Sequence, residues 1–487
     1  MNSAFLWTTT SLALVSLACA GTPSVGGVAG VSPSPSAAWT PPAARRSPEA
    51  AALPSVPADL QQRVRQLTLA EVVDLGLRNN PLTRLSWANA RAAAAAYGSE
   101  RGAYFPTVDG DVTATRLKTV ASQGRSAVTQ SVLNPSVSLS YLLFDFGGRS
   151  GNVGSARNAL LAANFTHNAT LQDVVLQIQG AYFTYIANRA LLAAQQTTTR
   201  EARANLAAAE ERNRVGVATI ADVLQARTAA SQAELAAETT EGDLQTSRGA
   251  LALSLGLPAN LPYDIDSTAG QLPVSLLADS VDVLITGAVE GRPDLAAARA
   301  EFDATRSQIS VARASRLPAL TLNGTGGRTY TTTLPQGGNN YTLSLGLRIP
   351  LFAGFSRLYD QREAVALADA ASARADALGQ QVVFEVFRSY YALQTAGRRV
   401  RTANDLLTSA TQSSEVASGR YKAGVGSVLD LLSAQTALAD ARAQQVLARL
   451  EWNTSLAQLA RDAGVLDQRG GSSLRLTQDS VPQQLPR

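Results

Sequence analysis

The sequence contains very few residues of the kinds that carry enzyme chemistry or hold metal ions. Its 487 residues include one cysteine, one histidine and one methionine, and only 16% of them are charged. A structural metal site needs several thiolate or imidazole ligands, and a catalytic site needs titratable groups tuned by their neighbours. We therefore predict no catalytic residues, no cofactor and no metal site. A single cysteine also excludes an internal disulfide.

Charge of one sign is not concentrated anywhere in the chain. The 42 basic residues nearly balance the 38 acidic ones, and the formal net charge is +4. The basic residues are scattered along Ala- and Gln-rich stretches and are not grouped with aromatic residues, which is typical of solvated helix faces. This distribution predicts no nucleic-acid partner.

Long apolar runs are missing after the first twenty residues. Residues 1–20 form a short apolar segment ending in Ala18-Cys19-Ala20, which is typical of a secretory signal peptide. No later segment approaches the roughly 18 consecutive apolar residues of a transmembrane helix. If this chain enters a bilayer, it must do so as a closed barrel, because only helices and barrels satisfy every backbone group in lipid.

The segments at the two ends of the chain are predicted to lie outside the folded core. Residues 21–60 are rich in Pro, Ala and Ser, which predicts a flexible tether, and residues 467–487 are predicted to be a flexible tail. Because the only cysteine, Cys19, lies just before the tether, we predict that it carries lipid; signal cleavage after Ala20 is the alternative. Order is expected to begin near Leu67, followed by a capping box of Thr68 and Glu71.

Four motifs recur in the same order about 210 residues apart, which indicates an internal duplication. The two predicted repeats are 61–265 and 266–466. The matching motifs are Phe105-Pro106 with Leu317-Pro318, Leu143-Phe144 with Leu351-Phe352, Ala181-Tyr182-Phe183 with Ser389-Tyr390-Tyr391, and Arg214-Val215-Gly216 with Lys422-Ala423-Gly424. Each repeat is predicted to contain a helical segment (69–102 or 281–314), a strand pair, a very long helix, a glycine-containing break and a second long helix.

The strand pairs are predicted from alternation with a period of two. Residues 136–143 and 342–351 place apolar side chains on one face and small or polar ones on the other, and 107–117 and 319–330 are their weaker partners. Each run has about the length of a tilted membrane-spanning strand. A soluble sandwich is the alternative, but two separated hairpins leave open edges. We predict that the loops 118–130 and 331–340 lie outside the cell.

The long helices are predicted from the absence of proline and from a seven-residue apolar period. No proline occurs between Pro135 and Pro258 or between Pro350 and Pro482, so a helix over 152–212 would extend about 90 Å. The spacing of Val386, Leu393, Val400 and Leu407, and of Ile178, Tyr185 and Leu192, is typical of a left-handed coiled coil. Breaks at Gly216 and at Gly424 with Gly426 are expected to reverse the chain and form the hairpin tips.

The repeat order, with the junction Leu143-Phe144-Asp145-Phe146-Gly147-Gly148-Arg149, resembles the TolC outer membrane efflux protein family over residues 68–465. The resemblance implies an α+β membrane protein whose two repeats supply β-hairpins for a trimeric 12-strand barrel and long helical hairpins for a periplasmic tunnel. It also implies a homotrimer in the outer membrane lipid of a Gram-negative bacterium, a periplasmic adaptor, an inner-membrane transporter and no enzyme activity.

The resemblance also assigns residues to a periplasmic aperture at the hairpin tips. The family's gating tyrosine falls on Tyr421, and its aspartates fall on Asp430 and Asp222; Gly426 and Ser433 depart from the family's arginine and second aspartate. The alternative for both aspartates is a carboxylate that stabilises a helix start. Four aromatic residues at the strand ends are predicted to form a membrane-interface belt: Phe144, Phe146, Phe352 and Phe355.

Three functions remain open at this stage. The first is the passive exit duct of a tripartite efflux system, and the second is the same duct serving a type I protein secretion system. The third is a coiled-coil surface protein without a channel, against which the paired amphipathic strands argue. The sequence does not identify the cargo, because substrate choice is expected to belong to the partner pump.

Overall fold

The structure is a computed structural model, and it describes residues 67–118, 129–260, 276–277, 279–332, 334–466 and 476–477. All of these belong to one compact unit, Ala58–Arg487. The predicted signal peptide, Cys19 and the predicted tether lie outside the described residues. So do most of the loop 118–130 and most of the tail 467–487.

The predicted duplication is present at the level of whole elements. The first repeat contains α1 (Leu69–Asn79), α2 (Pro81–Gly102), β1 (Thr107–Lys118), β2 (Thr129–Phe144), α3 (Gly148–Arg214) and α4 (Ile220–Ser254). The second contains α5 (Val281–Gly291), α6 (Pro293–Ala314), β4 (Ala319–Thr331), β5 (Leu334–Arg348), α7 (Ser356–Lys422) and α8 (Val428–Asp462). Two short strands, β3 (Leu276–Leu277) and β6 (Leu476–Thr477), pair with each other.

The helices match one another closely between repeats. Both α3 and α7 have 67 residues, and both α4 and α8 have 35. At 1.5 Å per residue, α3 and α7 are each about 100 Å long. In each repeat the long helix packs along its shorter return helix, so the two form one hairpin. Among the described helices, none is both long and apolar enough to cross a membrane.

Heptad positions form the core of the hairpins, as the sequence predicts. Val386, Leu393, Val400 and Ile178 are buried in one large cluster that also contains Trp452 of α8. Nearer the tip of the first hairpin the buried residues become small: Ala209, Val223 and Ala226 form a separate cluster. Since apolar burial stabilises in proportion to area, packing near this tip contributes less than packing around Trp452.

Each predicted helical segment before a strand pair is two helices, not one. The breaks lie at Asn80 and Arg292, immediately before Pro81 and Pro293, because a proline disfavours helical conformation in the residue that precedes it. Both break residues reach the end of a return helix: Asn80 Nδ2 donates to the Ser254 carbonyl at 3.0 Å. Arg292 Nη1 lies 3.4 Å from the equivalent carbonyl of Asp462.

The four long strands form one antiparallel sheet in the order β1-β2-β4-β5. The predicted loop 331–340 is wrong over most of its length, because Gly338, Asn339 and Asn340 pair with β4. Their composition is typical of a loop, but the ladder supplies the backbone hydrogen bonds. The strand predicted to reach 351 ends at Arg348, since Pro350 lacks an N–H and restricts the residue before it.

Candidate functional site

The sheet has one apolar and one polar face. Paired residues share a face, so Leu322 lies with Tyr141 on one side and Leu345 on the other. The apolar face is uncovered within the described chain: Leu343 and Leu345 are 72% and 64% exposed. On the opposite face, Ser140 Oγ donates to Asn323 Oδ1 at 3.1 Å. A contiguous exposed apolar surface of this kind marks contact with lipid or protein.

The two edges of the sheet are open. Within the residues that the structure describes, β1 and β5 each pair on one side only, and every residue of β1 is exposed. An edge strand presents unpaired backbone N–H and C=O groups, which are ready to pair with another chain. The isolated protomer therefore has two unsatisfied edges beside an apolar face.

Aromatic pairs mark both junctions between strand and long helix. Phe144 and Phe146 meet edge to face with ring centroids 4.7 Å apart, and Phe352 and Phe355 do so at 5.5 Å. All four rings are exposed, and Phe146 and Phe355 have left-handed backbones, with φ of 50° and 65°. A bulky residue seldom adopts this conformation unless its surroundings hold it there. The structure thus brings together the four predicted belt residues as two exposed pairs.

The first junction is held by Arg149, the last residue of the junction motif that carries the family resemblance. Arg149 donates to the carbonyls of Leu143 at 3.2 Å and Ala103 at 3.3 Å, and its guanidinium lies 5.3 Å from the ring of Tyr104. The Asp145 carboxylate accepts from the backbone N–H of Arg149. Arg149 therefore links the end of β2 to the turn between α2 and β1.

Both hairpin tips are closed by the same backbone motif. Gly216 and Gly424 are left-handed, with φ of 80° and 78°. The N–H of Val217 donates to the Arg212 carbonyl, and that of Val425 donates to the Arg420 carbonyl. This six-to-one hydrogen bond with a glycine before it defines a Schellman motif. Gly426 is not left-handed; a Cβ there would lie 3.1 Å from the Cβ of Arg420.

The two predicted tip aspartates differ in what their carboxylates do. The Asp222 carboxylate accepts from the backbone N–H and the hydroxyl of Thr219, at 2.8 and 2.9 Å, and completes a capping box. Asp430 N–H donates to Ser427 Oγ at 3.1 Å. The exposed Asp430 carboxylate, however, accepts no hydrogen bond and forms no ion pair within the described part of the chain. Asp222 is thus used by its own helix, whereas Asp430 is available to solvent or a partner.

Tyr421 packs inside the protomer. It is buried against Val428 and Leu431, and the guanidinium of Arg212 lies 4.1 Å from its ring centroid. Arg212 Nη2 also donates to the Tyr421 carbonyl at 2.9 Å. This contact joins the ends of α3 and α7, so it ties one hairpin tip to the other. The sequence reasoning missed Arg212; its only signal is a basic residue in the last helical turn of both repeats.

The family model for outer membrane efflux proteins matches residues 72–257 and 284–465. The chain belongs to this family. Protein CyaE of Bordetella pertussis is 31% identical to this outer membrane efflux protein over 414 residues, 84% of this chain and 86% of that protein. The toluene efflux pump outer membrane protein TtgF of Pseudomonas putida is 27% identical over 412 residues, 82% of this chain and 84% of that protein.

Solved structures show the same fold. The outer-membrane channel OprN matches with a TM-score of 0.75 at 21% identity, covering 83% of this chain and 90% of that one. The outer membrane protein VceC of Vibrio cholerae matches with a TM-score of 0.72 at 20% identity, covering 81% and 96%. The predicted α+β fold class and outer-membrane location are confirmed, and the efflux role follows from family membership.

Proposed function

We propose that this outer membrane efflux protein works as a homotrimer whose twelve strands close one barrel. The observation that carries the proposal is the exposed apolar sheet face flanked by two open edges. Symmetric association pairs every edge and turns the apolar face toward lipid. Two copies would give an eight-stranded barrel, which is about narrow enough for side chains to fill. Three copies are the smallest number that leaves an open lumen.

In this assembly the long helices continue from the barrel as a periplasmic tunnel, and the protein is a passive exit duct, not an enzyme. A periplasmic adaptor and an inner-membrane transporter would deliver the cargo at the hairpin tips. Relatives such as TtgF are named as efflux-pump proteins, which favours a duct for efflux over a duct for type I protein secretion. Within the proposal, 61–265 and 266–466 are the two repeats, the four phenylalanines form the interface belt, and Cys19 carries lipid.

The proposed topology predicts which parts of the chain reach each side of the outer membrane. A cysteine in place of Thr332, in the turn between β4 and β5, is expected to react with an impermeant maleimide on intact cells. A cysteine in place of Val425, exposed at a hairpin tip, is expected to react only after the outer membrane is permeabilised. The parent chain, whose only cysteine is Cys19, is the control for background labelling. Reaction of Val425→Cys, but not Thr332→Cys, on intact cells would reverse the topology.

We also propose that Asp430, with Tyr421 and Asp222 nearby, lines the periplasmic aperture formed by the tips. Three copies of the unpartnered Asp430 carboxylate around one axis would attract cations and repel one another. Tyr421 would then contribute by holding the tips through Arg212, and Asp222 by capping α4. With Gly426 in place of an arginine, fewer charged contacts would hold neighbouring tips together.

The two aspartates provide a matched pair of variants for this aperture. Asp430→Ala is expected to lower the cation-over-anion permeability ratio in planar bilayers about two-fold or more, and to weaken block by a trivalent cation added at the tip side. Asp222→Ala is expected to leave both nearly unchanged and to cost about 0.3–1 kcal/mol of stability through its capping box. The aperture assignment fails if Asp430→Ala changes only stability.

A further inference from the structure

We propose that a pocket at the boundary between sheet and helices binds a small organic anion with an apolar body. The pocket has a volume of about 410 Å³ and lies where three chain segments converge: the β2–α3, α6–β4 and β5–α7 junctions. Ligand pockets typically measure about 300–1,000 Å³. All residues that line the pocket belong to one protomer. That the pocket faces the inside of a duct rests on the proposed function.

The pocket opens on the polar face of the sheet. Arg348, which lines it, pairs with Ala319, another lining residue, and so shares its face. Leu142, also in the lining, pairs with Thr321 on that same face. This is the face opposite the exposed row of Leu343 and Leu345. In the proposed barrel the pocket therefore faces the lumen, where cargo passes, and not the lipid.

Two of the four ionisable groups in the lining have no hydrogen-bond or ion-pair partner among the described residues. The Arg149 guanidinium donates to two carbonyls, and its Nε lies 3.9 Å from the Asp145 carboxylate, so both groups have partners within the chain. Arg348 and Arg357 form no hydrogen bond or ion pair within the described residues. The pocket therefore presents two free guanidinium groups, whose planar donors suit carboxylate, phosphate or sulfonate oxygens.

The duplication shows which charged partner Arg357 lacks. It occupies the position in the second repeat that Arg149 holds in the first. Where the first repeat has Asp145, the second has Ala353, which cannot form the carboxylate contact. The second repeat thus contains the arginine, Arg357, but no aspartate at the position equivalent to Asp145.

The apolar residues of the lining indicate that the ligand also has an apolar part. Leu142, Val311, Leu317 and Pro350 supply an apolar wall beside the two arginines. An inorganic anion would leave this wall in water, whereas an aromatic or short aliphatic carboxylate would cover it and gain from apolar burial. The pocket thus fits an amphipathic organic anion passing through the duct.

Equilibrium dialysis of radiolabelled benzoate against the purified, detergent-solubilised full chain tests the site without requiring a channel. Saturable binding is expected, and Arg348→Gln with Arg357→Gln is expected to weaken it about tenfold or more, because charge-assisted hydrogen bonds are lost. Arg316→Gln is the matched control: Arg316 lies outside the lining and bonds to Gln361 at 2.9 Å. Benzyl alcohol, which has the same ring but no charge, is expected not to displace benzoate.

Single-channel recording with benzoate separates this inference from the duct itself. Benzoate is expected to reduce the current through the wild-type channel, and the double arginine variant is expected to resist this reduction. A conducting channel without saturable benzoate binding would overturn the proposed binding site but would not contradict the proposed duct. Saturable, arginine-dependent binding by a protein that never conducts would support the binding site and contradict the proposed duct. Equal weakening by Arg316→Gln would also overturn the site.

Discussion

Replacing Arg292 by methionine is expected to lower the free energy of unfolding by about 3 kcal/mol, because it removes the arginine paired with the half-buried Asp294 and one of the two arginines beside Glu385. Arg292 is 3% exposed. Its guanidinium contacts Asp294 at 2.6 Å and Glu385 at 2.7 Å, and so joins α6 to α7. Methionine matches the length of the stem but pairs with neither carboxylate.

Urea denaturation followed by helical circular dichroism measures this loss. Arg299→Met is the matched control, because Arg299 lies on α6, the helix that follows Arg292, is exposed and donates only to the Val289 carbonyl in the described structure. We expect the control to change stability by less than about 0.5 kcal/mol. Equal midpoints for the two variants would show that the Arg292 cluster adds nothing to stability.

The same cluster predicts a pH dependence. Burial alone would raise the pKa of Asp294, but its hydrogen bond and charge contact with Arg292 outweigh burial and lower that pKa below its ordinary value. Burial likewise opposes the lowered pKa of Glu385, which hydrogen bonds from Gln381 and Arg292 produce. Lowered folded-state pKa values contribute stability that is complete above the ordinary values of 3.8 and 4.5. That contribution is lost as the pH falls through the folded-state values, and Arg292→Met should remove most of the part that comes from Asp294.

Leu345→Arg is expected to prevent insertion of the barrel into the outer membrane. Leu345 is exposed on the apolar face of β5, and an arginine facing lipid near the middle of a barrel costs about 2–4 kcal/mol. In a homotrimer this cost occurs three times. The variant chain is expected to be absent from purified outer membranes, as measured by membrane fractionation and immunoblotting.

Ser344→Arg is the control for Leu345→Arg. The two residues are adjacent in β5, but Ser344 lies on the opposite, polar face and pairs with Asn323. An arginine there would point into the lumen of the proposed barrel, where it is solvated, so assembly should be retained. If both variants assembled equally well, the apolar face would not face lipid.

Much of this fold is predictable from the sequence because its determinants are local and repeated. The seven-residue period places Val386, Leu393 and Val400 in the core, and the structure confirms it. The pattern Thr68 to Glu71 predicts a capping box, which forms. Glycines after basic residues predict the tips, because a left-handed residue ends a helix most readily when it has no Cβ. Repetition adds weight, since each element is indicated twice.

Other features depend on partners distant in sequence, and no local pattern carries them. Arg292 is a helix break residue whose role appears only when Glu385 and Asp462, from two other helices, lie beside it. Arg212 contacts Tyr421 across 209 positions. Residues 334–340 have the composition of a loop and form strand because they pair with β4. His167 Nδ1 lies 2.8 Å from the hydroxyl of Ser86 on α2, a contact that joins residues 81 positions apart.

Single-channel recording of the purified full chain, on a preparation whose copy number is fixed by native mass spectrometry, tests the trimeric duct most directly. We predict particles of three chains that produce discrete current steps in planar bilayers, and no steps from Leu345→Arg chains prepared in the same way. Folded particles whose copy number is not three, or trimers that insert and never conduct, would contradict the proposed duct.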